Sequence, residues 1–441
     1  SYFQDKLLPY HLLIEQDLHQ GQHERSFEYV ERARSRVLQD LMEGTLHFEN
    51  LEADSKKLAT EVNAMRSESW RRTVAASPEP RKRNGQNSEK RILQILRRTQ
   101  RLEKQKTKSS LKISDIQSIL QPSQALVCYY RIGNSLHAYV LDSNGLTVHP
   151  EIAKNSDLLP KWHFLRFQLE HGRTDPQNSL KACETHLMTL QSKLLGPLKE
   201  RLSTSRILTI IPHGWLHTFP FHCLKDEEGF LVDRYSFSYA PSISVYSYCL
   251  QRQGSAENVL VMGHSDALAP WIDQEVREIH AVFPEAQIIT GDSARAEVVK
   301  EKGRDAGLIH IASHGRFLQN QPFLSGIHLA DGWLTLPQIY QLKLNAELVT
   351  LSGCETGSNE VSAGDELLGL TRGFLYAGAS SLVVSLWRVF DVSTADFMKA
   401  FYSALSSGSS RLHAWHHAVL ETKKQWPHPY HWGPFVLMGK I

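Results

Sequence analysis

From residue 256 to the end of the chain, strand-like and helix-like runs alternate, and this alternation restricts the fold more than any other feature. "NVLVMGH", "AQIIT", "GLIHIAS", "ELVTLSG", "SLVVSLW" and "FVLMG" are short, apolar and rich in β-branched residues. Between them lie "DQEVREIHAVF", "ARAEVVKEK", "GDELLGLTRGFLYAG", "STADFMKAFYSAL" and "RLHAWHHAVLETKKQ", with apolar residues at helical spacing. Strands separated by helices pair in parallel, and a parallel sheet needs cover on both faces. The near-continuous apolar character of the strands agrees, because such strands are buried on both sides. The fold class is therefore α/β, a mostly parallel sheet with helices on both faces.

The region 111–255 reads differently. "ALVCYYRIGNSLHAYVLDSNGLTVHPEI" is strand, turn, strand, turn, strand, with Gly133-Asn134 and Asn144-Gly145 as punctuation. A helix around 178–202 then leads into "RILTIIPHGWLHTFPFHCL". Residues 1–110 read as helix, with a break at Gly21. Phe27, Val30, Val37, Leu38 and Leu41 recur at three- and four-residue steps and leave Arg and Glu on the other face. "LEADSKKLATEVNAMRSESW" and the basic "RILQILRRTQRLEKQ" flank a Pro- and Gly-broken stretch, "SPEPRKRNGQNSEK". That pattern fits a solvated helical hairpin with a flexible tip; a docking surface for an acidic partner is the alternative.

Bulk properties exclude several classes. The chain has 441 residues, too many for one ordinary core. Its net charge of +2 argues neither for nor against nucleic acid over the whole chain, and direct nucleic-acid binding is not expected. Five widely spaced cysteines without a Cys-x-x-Cys pair do not suggest a disulfide framework or a zinc site, and fit a reducing cytoplasm. No apolar run approaches the ~20 residues that span a bilayer, so membrane insertion is not expected. The start, "SYFQDKLLPY", carries neither an initiator Met nor a signal-peptide pattern, which reads as a fragment or a processed chain. No cofactor-binding loop or metal cluster is apparent.

Two strands end in chemistry. "LIHIAS" runs into His314-Gly315, and "LVTLSG" runs into Cys354. In open α/β sheets, ligands bind beyond the carboxyl ends of strands. If the two strands are neighbours, His314 and Cys354 meet at one sheet edge. A cysteine nucleophile needs a nearby imidazole, which favours the thiolate and later protonates the leaving amine. Gly315 and Gly353 remove bulk, so the backbone N–H groups of Gly315 and Cys354 are the candidate oxyanion donors. Spacing alone leaves plain packing open for both side chains, since Cys is often a small buried hydrophobe. His213-Gly214 also ends a strand, but Cys223 follows it too closely to reach a sheet edge of its own. His428 and His431 lie in "WPHPYHWG", a rigid turn between prolines without acidic or Cys partners nearby.

Together, "LIHIASHG", "LVTLSGCETG", "GDELLGLTRGFLYAGASSLVVSLWRVFD" and "HPYHWGPFVLMG" resemble the CHAT domain, a caspase-like domain often found with tetratricopeptide repeats. "IIPHGWLHTFPFHCL" and "DRYSFSYAPS" extend the resemblance to about residues 111–441. "SFEYVERARSRVLQDLM" is similar to the closing helix of a tetratricopeptide array. The family groups with caspases, gingipains and separases, which use a Cys/His dyad without an obligatory third residue. The resemblance implies His314 as base, Cys354 as nucleophile, a degenerate pseudo-protease half at 111–255 and an active half at 256–441. It implies a cysteine endopeptidase in a bacterial defence or cell-death pathway, switched on by a regulatory protein that acts through the helical region. Its protein substrate would be a gasdermin-like pore former or a CRISPR-associated protein. A catalytically silent CHAT scaffold for protein–protein interaction is the alternative. In separases the strand after the nucleophile leads into the substrate pocket. Here that segment brings Arg388 and Asp391, with Asp365 at the end of the loop after the nucleophile as a third pocket candidate.

Overall fold

The computed structural model describes residues 2–42, 113–254, 257–266, 269–316, 325–355, 364–387 and 392–441. The basic helical stretch read between residues 43 and 112 lies outside them. The chain forms two compact units, one of residues 1–36, 109–252 and 383–441, the other of residues 37–108 and 253–382. In it, Val383–Ile441 belongs to the unit that holds residues 109–252.

The first unit opens with the helices α1 (Tyr2–His19) and α2 (His23–Met42). Gly21 joins them at φ +67°, a left-handed conformation that glycine adopts without penalty. A meander follows, with β1 (Gln124–Ile132), β2 (Ser135–Asp142) and β3 (Gly145–Lys154) paired antiparallel. The helices Asn155–His171 and Pro176–Leu194 lead to β4 (Ile207–Ile211), which lies parallel to β1. A two-residue hairpin, β5 (Lys225–Asp226) and β6 (Gly229–Phe230), precedes β7 (Ser236–Tyr239), parallel to β4.

β1 is buried on both faces, and its alternation explains why. Leu126, Cys128, Tyr130 and Ile132 form a core with Ile14, Phe27 and Val30 of α1 and α2. On the opposite face, the Tyr129 hydroxyl donates to the carbonyl of Leu194 at 3.0 Å, and its ring stacks on Phe221. Each large apolar side chain fully buried in this way contributes roughly 1.5–3 kcal/mol. Two polar ties fix α2. The Glu31 carboxylate accepts the N–H groups of Ile243 and Ser244 at 2.9 and 3.2 Å, where the helix Ile243–Gln251 begins. The Arg34 guanidinium donates to the Pro212 carbonyl at 2.7 Å and lies over the Tyr130 ring. The first helices therefore share one core with the meander.

The second unit carries the α/β alternation. β8 (Val259–Gly263), β9 (Gln287–Thr290), β10 (Leu308–Arg316) and β13 (Leu348–Glu355) pair in parallel in the order β9-β8-β10-β13. The helices Ile272–Val282 and Ala296–Lys302 make the crossovers. Between β10 and β13 the chain forms an antiparallel hairpin of β11 (Gly326–Leu329) and β12 (Gly332–Thr335), and β11 pairs with the last residues of β10. The helix Gly364–Ala377 follows β13. β14 (Ser381–Ser385) is buried throughout, and within it the chain passes back to the first unit. There, the helices Val392–Ser406 and Arg411–Gln425 precede β15 (Phe435–Gly439), parallel to β7.

Candidate active site

β10 and β13 run side by side in register from Leu308–Leu348 to Ala312–Ser352, and the register then slips. The next pair is Gly315–Cys354, so β10 holds one more residue than β13 between these two rungs. Such a bulge bends a strand and re-aims its side chains, and bulges recur beside active sites. His314 sits within it. It immediately precedes Gly315, the register partner of Cys354 on the neighbouring strand. Gly353, just before the candidate nucleophile, takes φ +97° and is buried. A side chain there would strain the backbone, so the glycine is a conformational requirement.

β8 supplies the third wall. Gly263 pairs with Ala312, and the His264 N–H donates to the Ala312 carbonyl at 3.0 Å. Two residues on, the Asp266 carboxylate Oδ1 meets His314 Nε2 at 2.9 Å. The His314 side chain is fully buried, whereas that of Asp266 is 27% exposed. The same Oδ1 accepts the Ala269 N–H at 3.1 Å, which pins the carboxylate in a local turn. Sequence reasoning missed Asp266. The only signal was that "NVLVMGHSD" also ends an apolar strand in a glycine and polar residues, with Asp266 three positions beyond Gly263.

Two more imidazoles stand close by. The His328 ring, on β11, lies 5.2 Å from that of His264 and 5.1 Å from Trp333. Burial, helped by His264 and His314, pushes the His328 imidazole down to about 4, so it is neutral near pH 7. Deeper in β10, His310 pairs with Glu275 of the helix Ile272–Val282 at 3.2 Å; both are buried. No group of three His, Cys, Asp or Glu side chains suited to a metal ion occurs among the described residues.

The remaining candidates are placed as follows. Gly315 is the register partner of Cys354. Asp365 lies in the first turn of the helix Gly364–Ala377, and Arg388 and Asp391 lie outside the described residues. Just before them, the Trp387 indole N–H donates to the Tyr430 carbonyl at 3.1 Å. At the other His-Gly strand end, His213 Nδ1 accepts the Arg131 N–H at 3.2 Å, and its ring lies 4.5 Å from that of Tyr130. Burial and the Arg34 guanidinium hold the His213 imidazole well below its ordinary range. Cys223 is fully buried, and burial drives its thiol far up. Cys128, Cys183 and Cys249 are pushed up to about 12 for the same reason. His428 caps the turn Pro429–Trp432 by accepting the Tyr430 N–H, and His431 bonds Ser393 at 3.1 Å.

The CHAT domain family model matches residues 184–440, more than half of the chain. Tetratricopeptide repeat protein 28 of Mus musculus and that of Homo sapiens are each 37% identical over 108 residues, 24% of this chain and 4% of theirs. The chain thus spans a small fraction of those relatives' length. Two structures of the Saccharomyces cerevisiae separase–securin complex share the fold. One has a TM-score of 0.58 at 10% identity and covers 94% of this chain and 33% of that one. The other has a TM-score of 0.53 at 12% identity and covers 99% and 40%. No helix among the described residues is long and apolar enough to cross a membrane.

Proposed function

The chain belongs to the CHAT domain family, and on its caspase-like protease fold we propose a cysteine endopeptidase with Cys354 as nucleophile and His314 as base. The observation that supports this reading is the Gly315–Cys354 rung, with His314 the residue before it on β10, which is compatible with thiol chemistry at the two strand ends. In this mechanism His314 takes the Cys354 proton, and the thiolate attacks the scissile carbonyl. The backbone N–H groups of Gly315 and Cys354 receive the developing oxyanion. The imidazolium then gives its proton to the departing amine, and water releases the acyl group by the reverse proton path.

The substrate is a protein, and the helical N-terminal region receives a regulatory protein that switches cleavage on. A bacterial defence or cell-death setting, with a gasdermin-like pore former or CRISPR-associated protein as target, follows from the CHAT family and is part of the same proposal. Arg388, Asp391 and Asp365 are assigned to the pocket for the substrate side chain that precedes the cut. The deciding experiment incubates the full chain with the proteins encoded beside its gene. A cut that vanishes in Cys354→Ala supports the peptidase. Equal cleavage by Cys354→Ala and wild type refutes it and favours the scaffold.

A further inference from the structure

We propose that Asp266 is a positioning residue that, through its bond to His314 Nε2, fixes the imidazole tautomer and orients His314 toward Cys354. The proposal rests on the cysteine-peptidase reading.

An ionised carboxylate can only accept hydrogen bonds. At 2.9 Å from Asp266 Oδ1, His314 Nε2 must therefore carry the proton. In the neutral ring Nδ1 is then the basic nitrogen, the one left to take the Cys354 S–H proton. Proton transfer leaves a thiolate and an imidazolium with N–H at both nitrogens, and the Nδ1 proton later passes to the leaving amine. Asp266 stays ionised throughout and exchanges no proton.

Placement supports this division of labour. The imidazolium would form on a fully buried side chain, where an unpaired cation is costly. Among the described residues, Asp266 and His264 from the β8 side and His328 from β11 are titratable groups near His314, and Cys354 is on the adjoining β13 rung. Of these, Asp266 brings a fixed negative charge, whereas His264 and His328 bring imidazoles that cannot offset a positive one. The carboxylate is also held in the frame of the base. Its loop leaves β8 through the His264-to-Ala312 bond, one residue short of the bulge that carries His314, and the Ala269 N–H pins Oδ1.

The test uses the full chain with Asp266→Asn and Asp266→Glu. Asn is isosteric, but its amide can donate to Nε2 and so favours the opposite tautomer. Nitrogen-15 NMR of the imidazoles, with the His314 signal assigned by its loss in His314→Gln, should show Nε2–H in wild type and a changed tautomer in Asp266→Asn. Alkylation of Cys354 by iodoacetamide at pH 7 should slow about tenfold. Asp266→Glu should restore part of both. An unchanged His314 signal and an unchanged alkylation profile in Asp266→Asn overturn the proposal. A tautomer change in a protein that cleaves nothing supports the positioning role while refuting the peptidase reading, so the two fail separately.

Discussion

Gly315 and Cys354 are partners on one rung of the β10–β13 ladder, one residue past the imidazole that would serve the thiol. The two side chains of a thiol mechanism thus belong to neighbouring strands, and no long loop has to bring them together. Their effects on rate should then be those of one unit. Cys354→Ala and His314→Ala should each lower kcat/KM by about 100-fold or more, and the double variant should be no worse than either. Multiplicative losses in single-turnover assays would show that the residues act independently. Cys223→Ala and His213→Ala are the controls and should retain activity.

Thiol labelling should separate Cys354 from the other four cysteines, which are all buried. Burial pushes Cys128, Cys183 and Cys249 up to about 12 and drives the Cys223 thiol well above its ordinary range. At pH 7.5 the thiolate fraction of a group at about 12 is below roughly one in 10,000. Brief alkylation followed by peptide mass spectrometry should find Cys354 modified first. Equal labelling of all five in the native protein would contradict this.

Gly353→Ala should destabilise the protein by about 1–2 kcal/mol, because its φ of +97° suits glycine alone. The urea midpoint measures this. Activity should fall further than the stability loss explains, since the same backbone sets the position of Cys354.

The Glu31 carboxylate serves two backbone N–H groups at a helix start. Glu31→Ala should cost about 1–3 kcal/mol by leaving these donors unserved, whereas Glu31→Gln keeps an acceptor oxygen and should cost less. Urea unfolding of the three proteins gives the order. A Gln variant as weak as the Ala variant would mean that the charge, not the acceptor, holds α2.

Acid should destabilise the first unit through buried histidines. Burial lowers His222 to about 3 and His428 to about 4, from an ordinary value of 6.5. The unfolded chain therefore binds protons near pH 6.5 that the folded chain refuses until pH 3–4. Stability from these groups is fully present above pH 6.5 and declines as pH falls toward 4. His222→Gln should flatten the dependence of the urea midpoint on pH across that window. An unaltered slope would place the acid sensitivity elsewhere.

The parts of this architecture that were readable in the sequence are those set by local pattern. Apolar runs ending in Ser-His-Gly and Ser-Gly-Cys announced the ends of β10 and β13, and Gly133 and Gly145 marked the meander turns. Asp266 was not readable, because its meaning depends on β8 pairing with β10 and no local pattern records that contact. The helix Asn155–His171 was missed although Leu158, Trp162, Leu165 and Leu169 bury one face; Pro160 inside it reads as a break. The return of residues 383–441 to the first unit is likewise a matter of long-range packing. The side chains of Arg388 and Asp391 lie outside the described residues.

The shared core of α1, α2 and the meander bears on where this protein can be trimmed. A fragment that begins near residue 111 would look complete by its family boundaries, yet it would bare Leu126, Cys128, Tyr130 and Tyr139 to water. These residues line neighbouring strands and would form a sticky apolar sheet face, the kind of surface that drives aggregation during expression. The shortest fragment that stays in solution should therefore keep α1 and α2 together with the meander.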